Sequence, residues 1–426
     1  MANLETLSLE DIQLEEIEPN TFTQLSNLNH LSLPENHLNV LHSDMFTGLN
    51  HLTWLDLTNS QIRAIEPGTF ANISDTLEYL NLAGNQLKVI EPKIFTQFSK
   101  LAFLILSQNS LEILAPDMFA GHLVTLDLDF NQIYTIKPRT FANISDTLKY
   151  LYLTGNQLKV IEPKTFTQLS KLKDLDLEGN QLTSIEPKTF MELSGLRILD
   201  MKKNYLKVLS PYMFAGLDNL YRLKLGGNQI HTIKPGTFAN ISDTLKYLYL
   251  TGNQLTSIEP KTFMELSGLR ILDMKKNYLK VLSPYMFAGL DNLYHLKFGG
   301  NQIHTIEAEA FADIKNSLTK LNLEYNQLEV IKPNTFTQFR KLNSLRRSGN
   351  RLKILAPGMF AGLDNLVSRF LENNQIHTIE NGTFTQFSGL NTLDLTRNNL
   401  TVLHLDMFAG LDRLENLLLL DTQSIR

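Results

Sequence analysis

The chain has no cysteine, which removes disulfides, thiolate metal sites and cysteine nucleophiles together. It has no apolar run approaching the roughly 18 to 20 residues of a membrane helix, so no membrane span is expected. Met1 leads directly into "ANLETLSLEDIQL" with no basic, then apolar, then small-residue order, so no signal peptide is expected either. Charge of one sign is also lacking: 39 basic against 44 acidic residues leave a net −5, and no general affinity for nucleic acid follows. There is no G-x-S-x-G, no H-E-x-x-H and no phosphate-cradling glycine loop. No catalytic residue, resident metal or cofactor is therefore expected, and the chain reads as a non-enzyme.

Repetition is what the sequence does have. "KYLYLTGNQL" occurs at Lys149–Leu158 and again at Lys246–Leu255, and the longer stretch Thr183–Tyr221 recurs unchanged as Thr256–Tyr294. The frame L-x-x-L-x-L-x-x-N-x-L starts at Leu4, Leu28, Leu52, Leu77, Leu101, Leu123, Leu148, Leu172 and Leu196. It continues at Leu220, Leu245, Leu269, Leu293, Leu318, Leu342, Leu366, Leu390 and Leu414, giving eighteen repeats. Starts are 24 or 25 residues apart, except for 22 between Leu101 and Leu123. A period in this range marks a stacked array in which each turn buries its apolar face on its neighbours. The L-x-L alternation is that of a short strand with one buried face, and in-register turns would form a parallel sheet.

Two further columns support the array. Asparagine fills the ninth position except at Ile12, Ser60 and Thr422, and a buried amide offers one acceptor and two N–H donors to backbone groups at a sharp turn. Thirteen of the 14 prolines stand three residues before a phenylalanine column that includes Phe22, Phe166, Phe190, Phe263 and Phe408. Proline there favours extended or turning backbone and opposes a helix.

The unit L-x-x-L-x-L-x-x-N-x-L-x-x-I-x-P-x-x-F-x-x-L-x-x resembles the 24-residue typical leucine-rich repeat of Toll-receptor ectodomains, chaoptin-like adhesion proteins and small leucine-rich proteoglycans. The resemblance covers nearly the whole chain. It implies an α/β-type repeat solenoid, mainly β: a curved horseshoe with a concave parallel sheet over residues 1–426 as a single domain, about 18 repeats long. It also implies an extracellular or cell-surface, non-catalytic recognition or adhesion scaffold. Members of that branch carry cysteine-rich caps, which are lacking here, so a cytoplasmic scaffold for protein assembly stands as the alternative.

Local departures are expected at residues 119–123, where the 22-residue repeat lacks the apolar residue found as Leu217 elsewhere, and at 342–371. There Arg347 and Arg369 occupy inward leucine positions. Three outcomes are open for these arginines: a one-residue slip that turns Phe370 inward, stems that reach the surface, or a strained, loosened segment, which is favoured because no inward carboxylate is available there.

The outward third, fifth, seventh and eighth positions should hold any binding site. Residues 1–130 carry 4 basic and 17 acidic residues, net −13, leaving net +8 for 131–426. Trp54, Tyr79 and Phe103 share the third position of consecutive repeats, and Tyr150 with Tyr152 and Tyr247 with Tyr249 form two further aromatic islands. With Lys202, Lys203, Arg222, Lys224, Lys275, Lys276 and Lys297 they are the candidate ligand-binding residues, because aromatic groups beside charges anchor interfaces. The expected partner is a protein or an acidic glycan, with a homo-oligomer left open. Asp174, Asp176 and Glu178 share one strand face and could offer oxygens to calcium, but a solvated surface with Glu178 beside Lys202 is the preferred reading. Asn72, Asn143, Asn240, Asn381 and Asn399 lie in N-x-[ST] sequons.

Overall fold

The computed structural model describes residues 3–420 except 167, 364, 365, 367, 386 and 388, and only the backbone of 368–370. The chain divides into two compact units, Met1–Tyr205 with Met213–Leu220, and Leu206–Tyr212 with Tyr221–Arg426.

In both units each repeat contributes one three-residue strand at its third to fifth positions. In the first these run from Thr6–Ser8 to Ile198–Asp200, and in the second from Arg222–Lys224 to Asn416–Leu418. Successive strands pair in parallel and in register. His30↔Trp54↔Tyr79↔Phe103↔Thr125 is one row of the first unit, and Tyr247↔Ile271↔His295↔Lys320↔Ser344 one row of the second. Since side chains alternate across a strand, the middle residue of the inner triplets, such as Leu55 or Leu272, is fully buried, while its neighbours lie on the other face.

The array is mainly β, as expected, and no α-helix occurs among the described residues. Behind the sheet the phenylalanine column forms a spine, with Phe46 and Phe70 at 6.0 Å and 8° and Phe119 and Phe141 at 6.3 Å and 5° in the first unit. Phe287 and Phe311 stack at 6.0 Å and 3° in the second. Short 3-10 turns at Ala71–Ile73, Ala142–Ile144, Ala239–Ile241 and Ala312–Ile314 fall in the four 25-residue repeats. Each takes up the extra residue and buries its isoleucine.

The asparagine column works as its chemistry predicts. Asn180 accepts from Leu158 N–H at 3.0 Å and donates to the carbonyls of Leu153 at 2.9 Å and Leu177 at 3.1 Å, tying one turn to the last. Ser60 substitutes by donating to Leu33 O at 2.9 Å. Ile12 is 53% exposed, and Thr422 lies outside the described residues. The short repeat at 119–123 closes without breaking the sheet: Phe95 bridges Phe119, and Thr125–Asp127 still pairs in register with Phe103–Ile105.

No register slip is found at 342–371, and Arg347 does not reach the surface. The backbone of Arg369 pairs with Leu393 and that of Arg346 with Phe370, which is the register of every other repeat, because the neighbouring ladders hold the strand. The side chain of Arg369 is outside what is described. Arg347 is fully buried, its guanidinium carbon 4.6 Å from the Phe360 ring centroid. Its Nε, Nη1 and Nη2 have no hydrogen-bond partner among the described residues.

Candidate functional site

In the first unit the in-register third positions build an aromatic ladder. Parallel strands about 4.8 Å apart leave planar side chains just enough separation to stack. Trp54 lies 5.2 Å from Tyr79 at 8°, and Tyr79 6.2 Å from Phe103 at 41°. His30 extends the stack by one strand, 5.8 Å from Trp54, and Thr125 ends it. These separations are within the favourable range for aromatic pairs. Phe103 remains 43% exposed. Burial, with the Asp56 carboxylate next in weight, holds the Tyr79 phenol above its ordinary value, so it stays protonated and able to donate.

Beyond the ladder the face turns acidic. Asp129 accepts from Thr154 N–H at 2.5 Å, yet burial, reinforced by Asp127 and Asp176, pushes its carboxyl up to about 7. Asp176 is raised by burial and by Asp200 and Glu178. Tyr150 and Tyr152 pair in register with Asp174 and Asp176, and burial followed by Asp174 raises the Tyr152 phenol.

The oxygens that converge are those of Asp176, Glu178 and Asp200, within 4.8 Å of one another, not the candidate set of Asp174, Asp176 and Glu178, and Glu178 pairs with Lys202 as preferred. Asp200 joins because it sits level with Asp176 on the next strand. Lysine ammonium groups already serve this cluster. Lys202 bonds Glu178 at 2.5 Å and Asp200 at 3.5 Å, and Lys203 bonds Glu178 at 2.9 Å. Burial alone would raise Glu178, but its bonds from Lys202 and Lys203 outweigh that and hold it below the usual carboxylate range. The arrangement is an ion-pair network whose cations are its own lysines.

The second unit carries the opposite sign. The Arg222 guanidinium lies 5.2 Å from the Tyr247 ring centroid, and Tyr221 meets the same ring edge-on at 5.1 Å. Asp273 is buried and receives Thr251 Oγ1 at 2.8 Å, Lys297 at 3.3 Å and Lys275 at 4.0 Å. Lys276 follows Lys275 in the left-handed region at φ 52°, and Lys224 is level with Tyr249 on the neighbouring strand. Lys275, His295, Lys297, Lys320 and Arg346 line a shallow pocket of about 300 Å³.

The structure thus brings Trp54, Tyr79 and Phe103 together, and separately Lys275 and Lys297. It engages Lys202 and Lys203 with carboxylates. Two participants escaped the sequence reading, His30 and His295. Both stand in the same third-position column, but neither is an aromatic hydrocarbon nor a permanent cation. Asn72, Asn143, Asn240, Asn381 and Asn399 are all exposed.

A stack of in-register turns with a three-residue strand, an asparagine bridge and a phenylalanine spine defines a leucine-rich repeat solenoid. The leucine rich repeat model matches residues 2–62, 50–111, 75–123, 121–182, 170–230, 218–279, 267–317, 316–376 and 370–423, and the chain belongs to that family, in its 24-residue typical class. A leucine-rich repeat protein of Leptospira interrogans is similar at 28% identity and a TM-score of 0.72, over 97% of this chain and 96% of that one. A chain of the glycosylated Toll–Spatzle complex of Drosophila is similar at 22% identity and a TM-score of 0.74, over 94% of this chain and 53% of that one. The Listeria monocytogenes internalin InlF is similar at 21% identity and a TM-score of 0.54, over 80% and 86%. No curated protein sequence matches the chain. No helix among the described residues is long and apolar enough to cross a membrane.

Proposed function

We propose that this chain is a non-catalytic recognition scaffold that binds a protein ligand on its strand face, with the stacked side chains of His30, Trp54, Tyr79 and Phe103 as the anchor. The observation that carries this reading is the ladder itself. It is a continuous, partly exposed aromatic surface held rigid by four paired strands, so little side-chain entropy remains to be lost on binding. Asp56, Asp127 and Asp129 lie on the same face, so the matching ligand surface is apolar with basic residues around it. The similar Toll–Spatzle chain stands in a complex, which supports a macromolecular partner. The receptor-like setting proposed is extracellular or cell-surface, with the five exposed sequons as glycan acceptors. An intracellular assembly scaffold is the alternative, and the lack of cysteine favours it.

Trp54 is the only tryptophan, so its fluorescence reports this face alone. Partners captured by the immobilised chain should shift Trp54 emission and should be lost with Trp54→Ala/Tyr79→Ala while the far-ultraviolet spectrum is unchanged. Capture that persists in that variant would overturn the site. Expression through a secretory pathway should give glycosylation at Asn72, and an unglycosylated, aggregated product would favour the intracellular alternative.

A further inference from the structure

We propose that the pocket between Lys275, Lys297, Lys320 and Arg346 is a subsite for one acidic sugar unit of a sulfated glycan, distinct from the aromatic ladder. The pocket rests on four neighbouring repeats of the second unit. Lys275 comes from the seventh position of one strand segment, Lys297 from the fifth of the next, Lys320 from the third of the next and Arg346 from the fifth of the last. In-register pairing of His295 with Lys320 and of Asn322 with Arg346 sets these side chains around one hollow.

The charges do not cancel. Asp273 lies beneath the pocket, 3.3 Å from Lys297 and 4.0 Å from Lys275, and Glu324 lies 3.8 Å from Arg346 at its rim. Four cations against two carboxylates leave two positive charges uncompensated. Among the described residues no carboxylate is within ion-pair distance of Lys320, which is exposed. The hollow also presents neutral hydrogen-bonding groups, the Ser344 hydroxyl and the His295 imidazole.

Size and layout choose the ligand. About 300 Å³ is at the small end of ligand pockets, larger than a bare tetrahedral ion requires and suited to one sugar ring. Two free positive charges match a ring carrying a sulfate ester beside a second anionic substituent. The imidazole and hydroxyl are available to the sugar hydroxyls. Further cations lie beyond the pocket, Lys276 in the same repeat as Lys275 and, across the intervening strand of Tyr247 and Tyr249, Arg222 and Lys224, which fits a ligand with several anions along its length better than one phosphorylated side chain.

His295 supplies an internal reporter. Burial, then the neighbouring Lys297 and Lys320, with Lys275 adding to them and Asp273 opposing, push its imidazole down to about 4. An anion seated among those lysines offsets their repulsion and favours the imidazolium, so occupancy is expected to raise the His295 pKa.

The test uses the full chain with a heparin-type sulfated hexasaccharide, its desulfated counterpart, and inorganic sulfate and phosphate at matched ionic strength, followed by calorimetry and by histidine NMR. Saturable one-site binding is expected, tighter for the hexasaccharide than for either inorganic ion and lost on desulfation. Lys320→Ala/Arg346→Ala should weaken it at least tenfold, whereas Lys234→Ala/Lys332→Ala, which removes the same charge elsewhere, should not. The His295 titration should move upward by about one unit on saturation. Equal weakening by both double variants, binding that survives desulfation, tighter binding of inorganic phosphate than of the hexasaccharide, or an unmoved His295 in the saturated protein would overturn the proposal. Melting curves show that each variant is folded. Trp54→Ala/Tyr79→Ala should leave glycan binding intact, so failure of this subsite and failure of the aromatic anchor are read separately.

Discussion

Replacing Arg347 with leucine should stabilise the chain. Arg347 fills the sixth position of its repeat, where Leu323 and Leu371 stand in the adjacent repeats and all three are buried. Burial pushes its guanidinium down from its ordinary value to about 9, which leaves the group charged at neutral pH. A shift of that size corresponds to ~5 kcal/mol against the charged form. The folded pKa is the lower one, so the unfolded chain binds the extra proton between the two values. The cost is therefore complete below pH 9 and relieved only above it. The Phe360 ring returns ~2 kcal/mol through cation–π attraction in a desolvated site, leaving a net of ~3 kcal/mol. Leucine removes the charge and the three unpartnered nitrogens while keeping a side chain that this column accommodates elsewhere.

The assay is amide exchange across Leu345–Leu352 at pH 7, because an array opens locally and one global melting point averages over many turns. A gain of ~3 kcal/mol should slow exchange there by about 100-fold. Arg347→Met should behave alike, since Met274 takes the same position in another repeat and is fully buried. Unchanged or faster exchange in both variants would refute the reasoning and mean that the guanidinium is satisfied where it lies.

Asp129→Asn should flatten the stability profile between pH 4 and 8. The folded carboxyl titrates near 7 against 3.8 for the free group, so stability contributed by the protonated form is lost as pH rises through 7. The variant, which keeps the acceptor for Thr154, should melt higher than wild type at pH 8 and level with it at pH 4. Asn180→Ala should cost about 1 to 3 kcal/mol in chemical denaturation, because Leu158 N–H would be left buried without its acceptor, while the Leu153 carbonyl keeps its bond from Asn156. Gly155→Ala should destabilise by about 2 kcal/mol: φ is +67° and a Cβ would stand 2.6 Å from the Phe130 ring. Phe130→Ala in the same chain should recover part of that loss, which melting curves of the single and double variants would show.

The fold was legible because every level of the sequence repeats the same instruction. Leu55, Asn85 and Phe70 each recur at fixed spacing, and a period of 24 has few physical solutions. The site was less legible, because outward positions are free to vary and only geometry decides which of them meet. Trp54, Tyr79 and Phe103 could be placed in one row from their shared position. The addition of His30 required seeing a ring at stacking distance. Asp273 and Asp200 read as outward charges from their fifth positions, yet both are buried beneath lysine stems, since long side chains from adjacent strands fold over short carboxylates. Lys202 and Lys203 read as part of a basic patch, but Glu178 from the preceding repeat and Asp200 pair with them. The pocket at Lys320 combines four strands, and no local pattern announces it.

The most direct test of the central claim is hydroxyl-radical footprinting of the chain with and without a protein ligand captured through the immobilised scaffold. Trp54, Tyr79 and Phe103 in the strand triplets of the first unit and Tyr212 and Tyr285, outside the strand triplets of the second, are all accessible enough to be oxidised when the chain is alone. Ligand should protect Trp54, Tyr79 and Phe103 strongly and leave Tyr212 and Tyr285 oxidised at their free rates. Protection of Tyr212 and Tyr285 with an unprotected ladder would contradict the account and move recognition away from the ladder.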